Sequence, residues 1–130
     1  MTPGEEEQKK FQEEADAYAR NSIEIIKEWT DELDNDDEEK RDEALEMIHQ
    51  DPLEVKTRTD FNGSRQYMIL LGTGGPAARI IGDLNDYDEP KTARFEFQDW
   101  FKPWTKARTT GAEEQTMLEY ARQFYFEEVV

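Results

Sequence analysis

The spacing of apolar residues changes at Pro52, and this change limits the folds that the chain can adopt. Before Pro52, apolar residues between Phe11 and Leu33 recur at steps of three and four, which is the period of one helix face. After Pro52, apolar and polar residues alternate, which is the period of a strand. The sequence therefore predicts an α+β protein with a helical N-terminal part and a β-rich remainder.

The N-terminal part is predicted to form two helices. The first runs from about residue 4 to about residue 33. Asn21 and Glu24 have the spacing of a capping box and could start a new helix, but the apolar stripe keeps its phase there, which favours one continuous helix. A second helix begins near Asp36 and ends near Gln50, because Pro52 restricts the residue before it. We expect an acidic antiparallel helical hairpin over residues 1–51. The stripe comprises Phe11, Ala15, Tyr18, Ser22, Ile25, Trp29 and Leu33.

Residues 53–130 predict a four-stranded antiparallel sheet with a C-terminal helix packed on it. The expected strands cover residues 55–60, 65–71, 77–84 and 92–99, and Asn62-Gly63 is a strong signal for a tight hairpin. A helix follows from residue 112 to about residue 126. No long linker divides the chain, and domains commonly have ~100–150 residues, so residues 1–130 are expected to form one domain. The helix residues expected to face the sheet are Met117, Leu118, Ala121, Phe124 and Tyr125.

Negative charge is concentrated in the helical part. Up to Glu54 there are 20 acidic and 6 basic residues, a net charge of −14, whereas Val55 to Val130 contain 12 and 10, a net charge of −2. Small domains are soluble with a net charge of roughly 2–8 in magnitude, so solubility alone does not require this excess. The charge predicts a basic partner and disfavours direct binding to nucleic acid or to an anionic membrane.

The densest acidic segment runs from Asp31 to Glu46. Duplex DNA carries one charge per ~1.7 Å of its axis, and a helix rises ~1.5 Å per residue. Acids at most positions of a helix can therefore imitate the charge density of DNA. The alternative is an ordinary solvated face with i,i+4 ion pairs, but only Lys40 and Arg41 supply cations in this segment. The candidate partner-binding residues are Asp31, Glu32, Asp34, Asp36, Asp37, Glu38, Glu39, Asp42, Glu43 and Glu46.

No motif in the chain predicts a metal or cofactor site. The acids after Asp34 resemble the start of an EF-hand, but Glu39 replaces the glycine of the sixth position and Leu45 replaces the glutamate of the twelfth. Residues 72–77 resemble a dinucleotide fingerprint, yet a strand pattern follows where that fingerprint needs a helix. The chain has no cysteine, which excludes thiolate sites and disulfides.

Catalysis has equally little support. His49, at the end of the second helix, fits a structural or solvent-exposed role, and Ser22 and Ser64 have no base nearby in sequence. We therefore expect a protein that is not an enzyme. Phe95 and Phe97 share one strand face and are expected in the core. Whether the bulky aromatic residues that follow belong to the core or to an interface is left open; they are Trp100, Phe101 and Trp104.

Three segments resemble a set of small phage and prophage proteins. The segments are Leu71–Ile80, Gln98–Thr105 with its Gln-Asp-Trp and Pro-Trp-Thr sequences, and Tyr120–Phe126. The resemblance implies a mobile-element origin and no catalytic residues. It further implies an inhibitor of host defence, of the anti-CRISPR or anti-restriction type, although the acidic segment lies outside the matching residues.

Two functions follow as expectations. The first is an inhibitor in the cytoplasm of the host cell that occupies the basic nucleic-acid-binding surface of a protein or ribonucleoprotein. The second is a structural or oligomerising module, in which the Phe11–Leu33 stripe pairs with a second copy as a homodimer. In the second case the acidic residues only keep the protein soluble.

Overall fold

The computed structural model of the protein describes residues 2–72, 76–99 and 102–126. In these ranges the chain forms three helices and a five-stranded antiparallel sheet, so the predicted α+β class is confirmed. The helices are α1 (Pro3–Glu32), α2 (Glu38–Gln50) and α3 (Gly111–Ala121). The strands are β1 (Glu54–Thr59), β2 (Arg65–Gly72), β3 (Ala77–Asp83), β4 (Arg94–Gln98) and β5 (Thr105–Lys106).

The prediction of four strands missed β5. This strand has two residues, Thr105 and Lys106, which pair with Phe97 and Glu96 of β4. Two residues are too few to show an alternating pattern, so sequence periodicity could not detect the strand. The sheet order is β1-β2-β3-β4-β5, a meander in which each strand pairs with its neighbours in sequence.

The helices begin at capping residues, and their ends differ from the predicted ends by up to several residues. Helix α1 starts at a capping box between Thr2 and Glu5 and runs through residue 21 without a break, as predicted. Helix α2 has Asp37 as its N-cap, not Asp36, and the Asp37 side chain accepts a hydrogen bond from the backbone N–H of Glu39 at 3.0 Å. Helix α3 ends at Ala121, several residues before the predicted end.

All three helices pack on the same face of the sheet. That face presents Tyr67, Ile69, Ile80, Phe95 and Phe97, which are 5% exposed or less. These side chains form one core cluster with residues of α1, α2 and α3. The core positions of Met117, Leu118 and Ala121 in α3 are confirmed, whereas Phe124 is partly buried beyond the helix and Tyr125 is 86% exposed, so its predicted position was wrong.

The buried face of α1 is rotated from the predicted stripe. Its most buried residues are Ala15, Ala19, Ile23, Ile26 and Thr30. Of the predicted stripe only Ala15 is fully buried, and Tyr18 and Ile25 are 36% and 50% exposed. The sequence stripe followed the largest apolar side chains, but the small alanines allow the helix to approach the sheet closely, and they therefore set the packed face.

Helix α1 also changes the predicted picture of the hairpin. It packs against α2, but it contacts β4, β5 and α3 as well. The first 51 residues are therefore not a helical hairpin with a core of its own. The two helices share the core of the sheet, which holds α2 and its acidic residues in a fixed place.

Candidate protein-binding surface

The ten acidic residues predicted from the sequence are all exposed. We call this group the acidic surface. Asp31 and Glu32 end α1, Asp34 lies in the connection between the helices, and the rest extend from that connection through α2. The full set is Asp31, Glu32, Asp34, Asp36, Asp37, Glu38, Glu39, Asp42, Glu43 and Glu46.

Helix α2 separates its acidic residues from its apolar ones. Its buried residues are Ala44 and Ile48, which are one turn apart, and Ile48 belongs to the core cluster. Glu38, Asp42 and Glu46 follow one another at intervals of four residues, so they form a row on the outer side with steps of about 6 Å along the axis. The helix thus presents regularly spaced carboxylates outward while its inner side anchors it.

The connection between α1 and α2 is fixed by hydrogen bonds around Asn35. Its side-chain oxygen accepts from the backbone N–H of Asp37 at 2.8 Å, and its amide donates to Glu32 at 2.9 Å. Arg41 donates to the backbone carbonyl of Asn35 at 2.9 Å. These bonds tie the connection to both helices, so that Asp34 and Asp36 are displayed by an ordered turn.

The acidic surface is only slightly neutralised by the chain itself. Among its residues one ion pair forms in the described parts of the chain, between Lys27 and Asp31 at 2.6 Å. Both partners are more than half exposed, and a surface pair of this kind contributes little to stability. Asp37 caps α2 and Glu46 accepts a hydrogen bond from Gln50 at 3.1 Å. The remaining negative charge is open to an external cationic partner.

The structure adds acidic residues that sequence reasoning missed. Glu24 and Glu28 are exposed on α1 and lie at helical spacing from Asp31, so they extend the surface along that helix. A groove of about 480 Å³ between the three helices brings Glu119 of α3 together with Asp34 and Asp42. The helical spacing could have revealed the first two residues. Nothing in the sequence places Glu119 beside α2.

The far end of α2 is attached to α3 and to the segment just after α3 by two polar contacts. The hydroxyl of Tyr120 donates to Asp51 at 2.6 Å, and Nε2 of His49 lies 2.8 Å from the backbone carbonyl of Gln123. Burial raises the pKa of Asp51 above its ordinary value, although the hydrogen bond from Tyr120 opposes this shift. Burial and the neighbouring Asp51 carboxylate both raise the pKa of Tyr120. These contacts hold α2 in place, and the predicted structural role of His49 agrees with them.

The stripe proposed for a homodimer is mostly used inside the chain. Trp29 and Leu33 are partly buried and pack against the core, and the ring of Phe11 lies 4.8 Å from the ammonium of Lys102. Only Tyr18 and Ile25 remain exposed, and the ring of Tyr18 contacts Phe97 at 5.2 Å between centroids. This packing disfavours a dimer through the Phe11–Leu33 stripe, which stays an untested alternative.

The aromatic residues after β4 are described in part. Trp104 is partly exposed, and the guanidinium carbon of Arg79 lies 4.1 Å from the centre of its ring. Trp100 and Phe101 lie outside the described residues. Over the ranges that the structure covers, no group of three or more histidine or acidic side chains is arranged to hold a metal ion. No helix there is long and apolar enough to cross a membrane.

Comparisons with known proteins give no family. No protein-family model, no curated protein and no solved structure matches this chain. The resemblance to small phage proteins therefore remains a prediction.

Proposed function

We propose that the protein is a non-catalytic inhibitor whose acidic surface occupies the nucleic-acid-binding site of a basic protein or ribonucleoprotein. It acts as a mimic of DNA or RNA in the cytoplasm of a host cell, in the manner of anti-CRISPR or anti-restriction proteins. The observation that carries the proposal is the exposure of all ten acidic residues on an ordered, internally anchored element.

The acidic surface differs from a flexible acidic tail because its residues lie on an ordered helix and an ordered turn. A flexible acidic segment loses conformational entropy when it binds, whereas α2 already has its carboxylates at fixed intervals. Its buried Ala44 and Ile48, together with the contacts of Asp51 and His49, hold the helix on the core. A basic groove that accommodates phosphates can accept such an array and release the same counterions.

The charge balance supports a cationic partner and not nucleic acid itself. The chain carries a net charge of −16, and a polyanion approaching it is repelled. A protein with a lysine- and arginine-rich groove is attracted instead, and its association rate falls as salt rises. The acidic surface is accordingly expected to meet its partner quickly at low ionic strength.

The test is capture of host proteins by immobilised wild-type protein, compared with two charge-matched variants. The first variant reverses Asp34, Asp36, Asp42 and Glu43 to lysine and leaves the cap Asp37 intact. Glu38 and Glu39 are also kept, because a lysine in the first turn of α2 would oppose the helix dipole. The control variant reverses four exposed acids elsewhere to lysine, which gives the same net charge: Glu7, Glu13, Asp86 and Glu89.

We expect wild type and control to capture a nucleic-acid-binding protein that is released by added duplex DNA or RNA. The variant with the four reversals in the acidic surface should capture none of it, while its far-UV circular dichroism remains that of wild type. Equal capture by both variants would refute the proposal. So would a captured protein that neither DNA nor RNA displaces.

A further inference from the structure

The face of the sheet that points away from the helices carries charge of the opposite sign. The register aligns Lys56, Met68, Ile81 and Arg94 in one row across β1 to β4. A second row runs across all five strands. The second row consists of Glu54, Leu70, Arg79, Glu96 and Lys106. Arg58, Asp83 and Asp60, which lies just after β1, complete the charged set, so that five basic side chains stand against four acidic ones, a net charge of +1 in a chain of net −16. Lys56 pairs with Glu54 at 3.1 Å and Arg58 with Asp60 at 3.8 Å.

The basic side chains are most concentrated around Glu96. One carboxylate oxygen of Glu96 forms an ion pair with Arg79 at 2.6 Å, and the other forms one with Arg94 at 3.3 Å. Lys106 of β5 lies opposite Glu96 in the strand register. Two guanidinium groups therefore share one carboxylate, and the ammonium of Lys106 adds a further positive charge on the same face. The ring of Trp104 stacks on the Arg79 guanidinium and holds it in one orientation.

Apolar side chains form the floor between these cations. Met68 and Ile81 lie in a pocket of about 160 Å³ whose rim includes Lys56, Arg58 and Arg79. Small-molecule sites usually have volumes of about 300–1,000 Å³, so this pocket is too small for a typical ligand. Its size and shallow position on the sheet suit a single side chain presented by another protein.

We propose that this open face docks an acidic segment of a partner protein, in which carboxylates alternate with apolar side chains. Charge complementarity selects the occupant: carboxylates meet Arg79, Arg94 and the exposed lysines, and an apolar side chain enters the Met68–Ile81 pocket. A nucleic-acid strand would carry one charge per nucleotide into the field of a strongly negative protein. A peptide carries fewer charges and gains apolar contact, so the surface favours protein over nucleic acid.

This inference goes beyond the proposed inhibition, because it uses a different face and a partner of opposite charge. The probe is a fluorescein-labelled twelve-residue peptide in which glutamate alternates with leucine and serine. A peptide with lysine in place of each glutamate and a labelled oligothymidylate serve as comparison probes. Binding is measured by fluorescence anisotropy with the full chain.

Two variants of equal net charge identify the site. Lys56→Glu with Lys106→Glu reverses two exposed cations of the open face and leaves the Arg79–Glu96–Arg94 group intact. Lys9→Glu with Lys91→Glu reverses two exposed lysines elsewhere. The fold of each is checked by circular dichroism, and Arg79→Gln supplies a third variant that removes the stacked guanidinium.

We expect the acidic peptide to bind wild type, and the open-face pair to weaken it about tenfold or more. The Lys9/Lys91 control has the same net charge as the open-face pair, and its dissociation constant for the peptide should stay much closer to that of wild type. Absence of peptide binding at millimolar concentration would overturn the inference. Equal weakening by both pairs, or tighter binding of the lysine peptide or the oligothymidylate, would also overturn it.

Discussion

Asp51 shows how one side chain outside the acidic surface can decide whether that surface stays in place. Its carboxylate accepts the hydroxyl hydrogen bond of Tyr120, a residue with no exposed surface. We predict that Asp51→Ala lowers the free energy of unfolding by about 1–3 kcal/mol, because the buried hydroxyl then lacks an acceptor. Asp51→Asn keeps an acceptor and should lose less. Urea denaturation followed by tryptophan fluorescence compares the two variants.

The same residue predicts a pH dependence. The folded-state pKa of Asp51 is raised, so its contribution to stability is fully present below the unfolded pKa and is lost as pH rises through the folded pKa. Asp51→Asn should therefore gain stability relative to wild type as pH increases above about 4. A constant difference between the two proteins from pH 3 to pH 7 would contradict the assignment.

Gly82 provides a second test on a single residue. A Cβ atom at this position would meet the backbone of Thr92, whereas one at Gly111 would meet nothing within 4 Å. Gly82→Ala should destabilise the fold by about 2 kcal/mol or more through steric strain. Gly111→Ala is the matched control and should leave the thermal midpoint unchanged or slightly higher. Equal midpoints for the two variants would refute this packing.

Among the secondary-structure elements, α1 best shows what sequence periodicity can and cannot provide. The apolar period correctly predicted one long helix. It did not predict which side is buried, because Ala15 and Ala19 are small, and a pattern weighted by hydrophobic bulk favoured Tyr18 and Ile25. How closely the helix approaches the sheet depends on the side chains of the sheet as well, and the apolar pattern of the helix carries no information about them.

Neighbouring isoleucines in α1 test the observed face directly. Ile26 is 2% exposed and Ile25 is 50% exposed. Ile26→Ala should lower the free energy of unfolding by about 2–4 kcal/mol, and Ile25→Ala should cost less than about 1 kcal/mol. Chemical denaturation measures both. The opposite order would show that the stripe expected from sequence is the packed face.

The acidic surface was easier to predict than the fold around it. Ionised carboxylates are costly to bury, so exposure of residues from Asp31 to Glu46 follows from their chemistry alone. The contribution of Glu119 could not be predicted, because α3 meets α2 only through the tertiary fold. The open face of the sheet was missed for the same reason: its cations come from four different strands and are assembled by strand register.

The whole molecule has two electrically different sides. The helical layer carries most of the net charge, and the open sheet face carries a small positive excess. Salt should therefore weaken binding through the acidic surface steeply. For a partner that normally contacts several phosphates, we expect the dissociation constant to rise at least about tenfold between about 50 and about 200 mM salt. Titration calorimetry at both concentrations checks this expectation.

The most direct test of the account is the dissociation constant for the captured nucleic-acid-binding protein. It is measured with wild type, the variant reversed at Asp34, Asp36, Asp42 and Glu43, and the charge-matched control. We predict that the acidic-surface variant binds about a hundredfold more weakly or not at all, and that the control stays within about threefold of wild type. Equal affinities for the two variants would contradict the assignment of this surface.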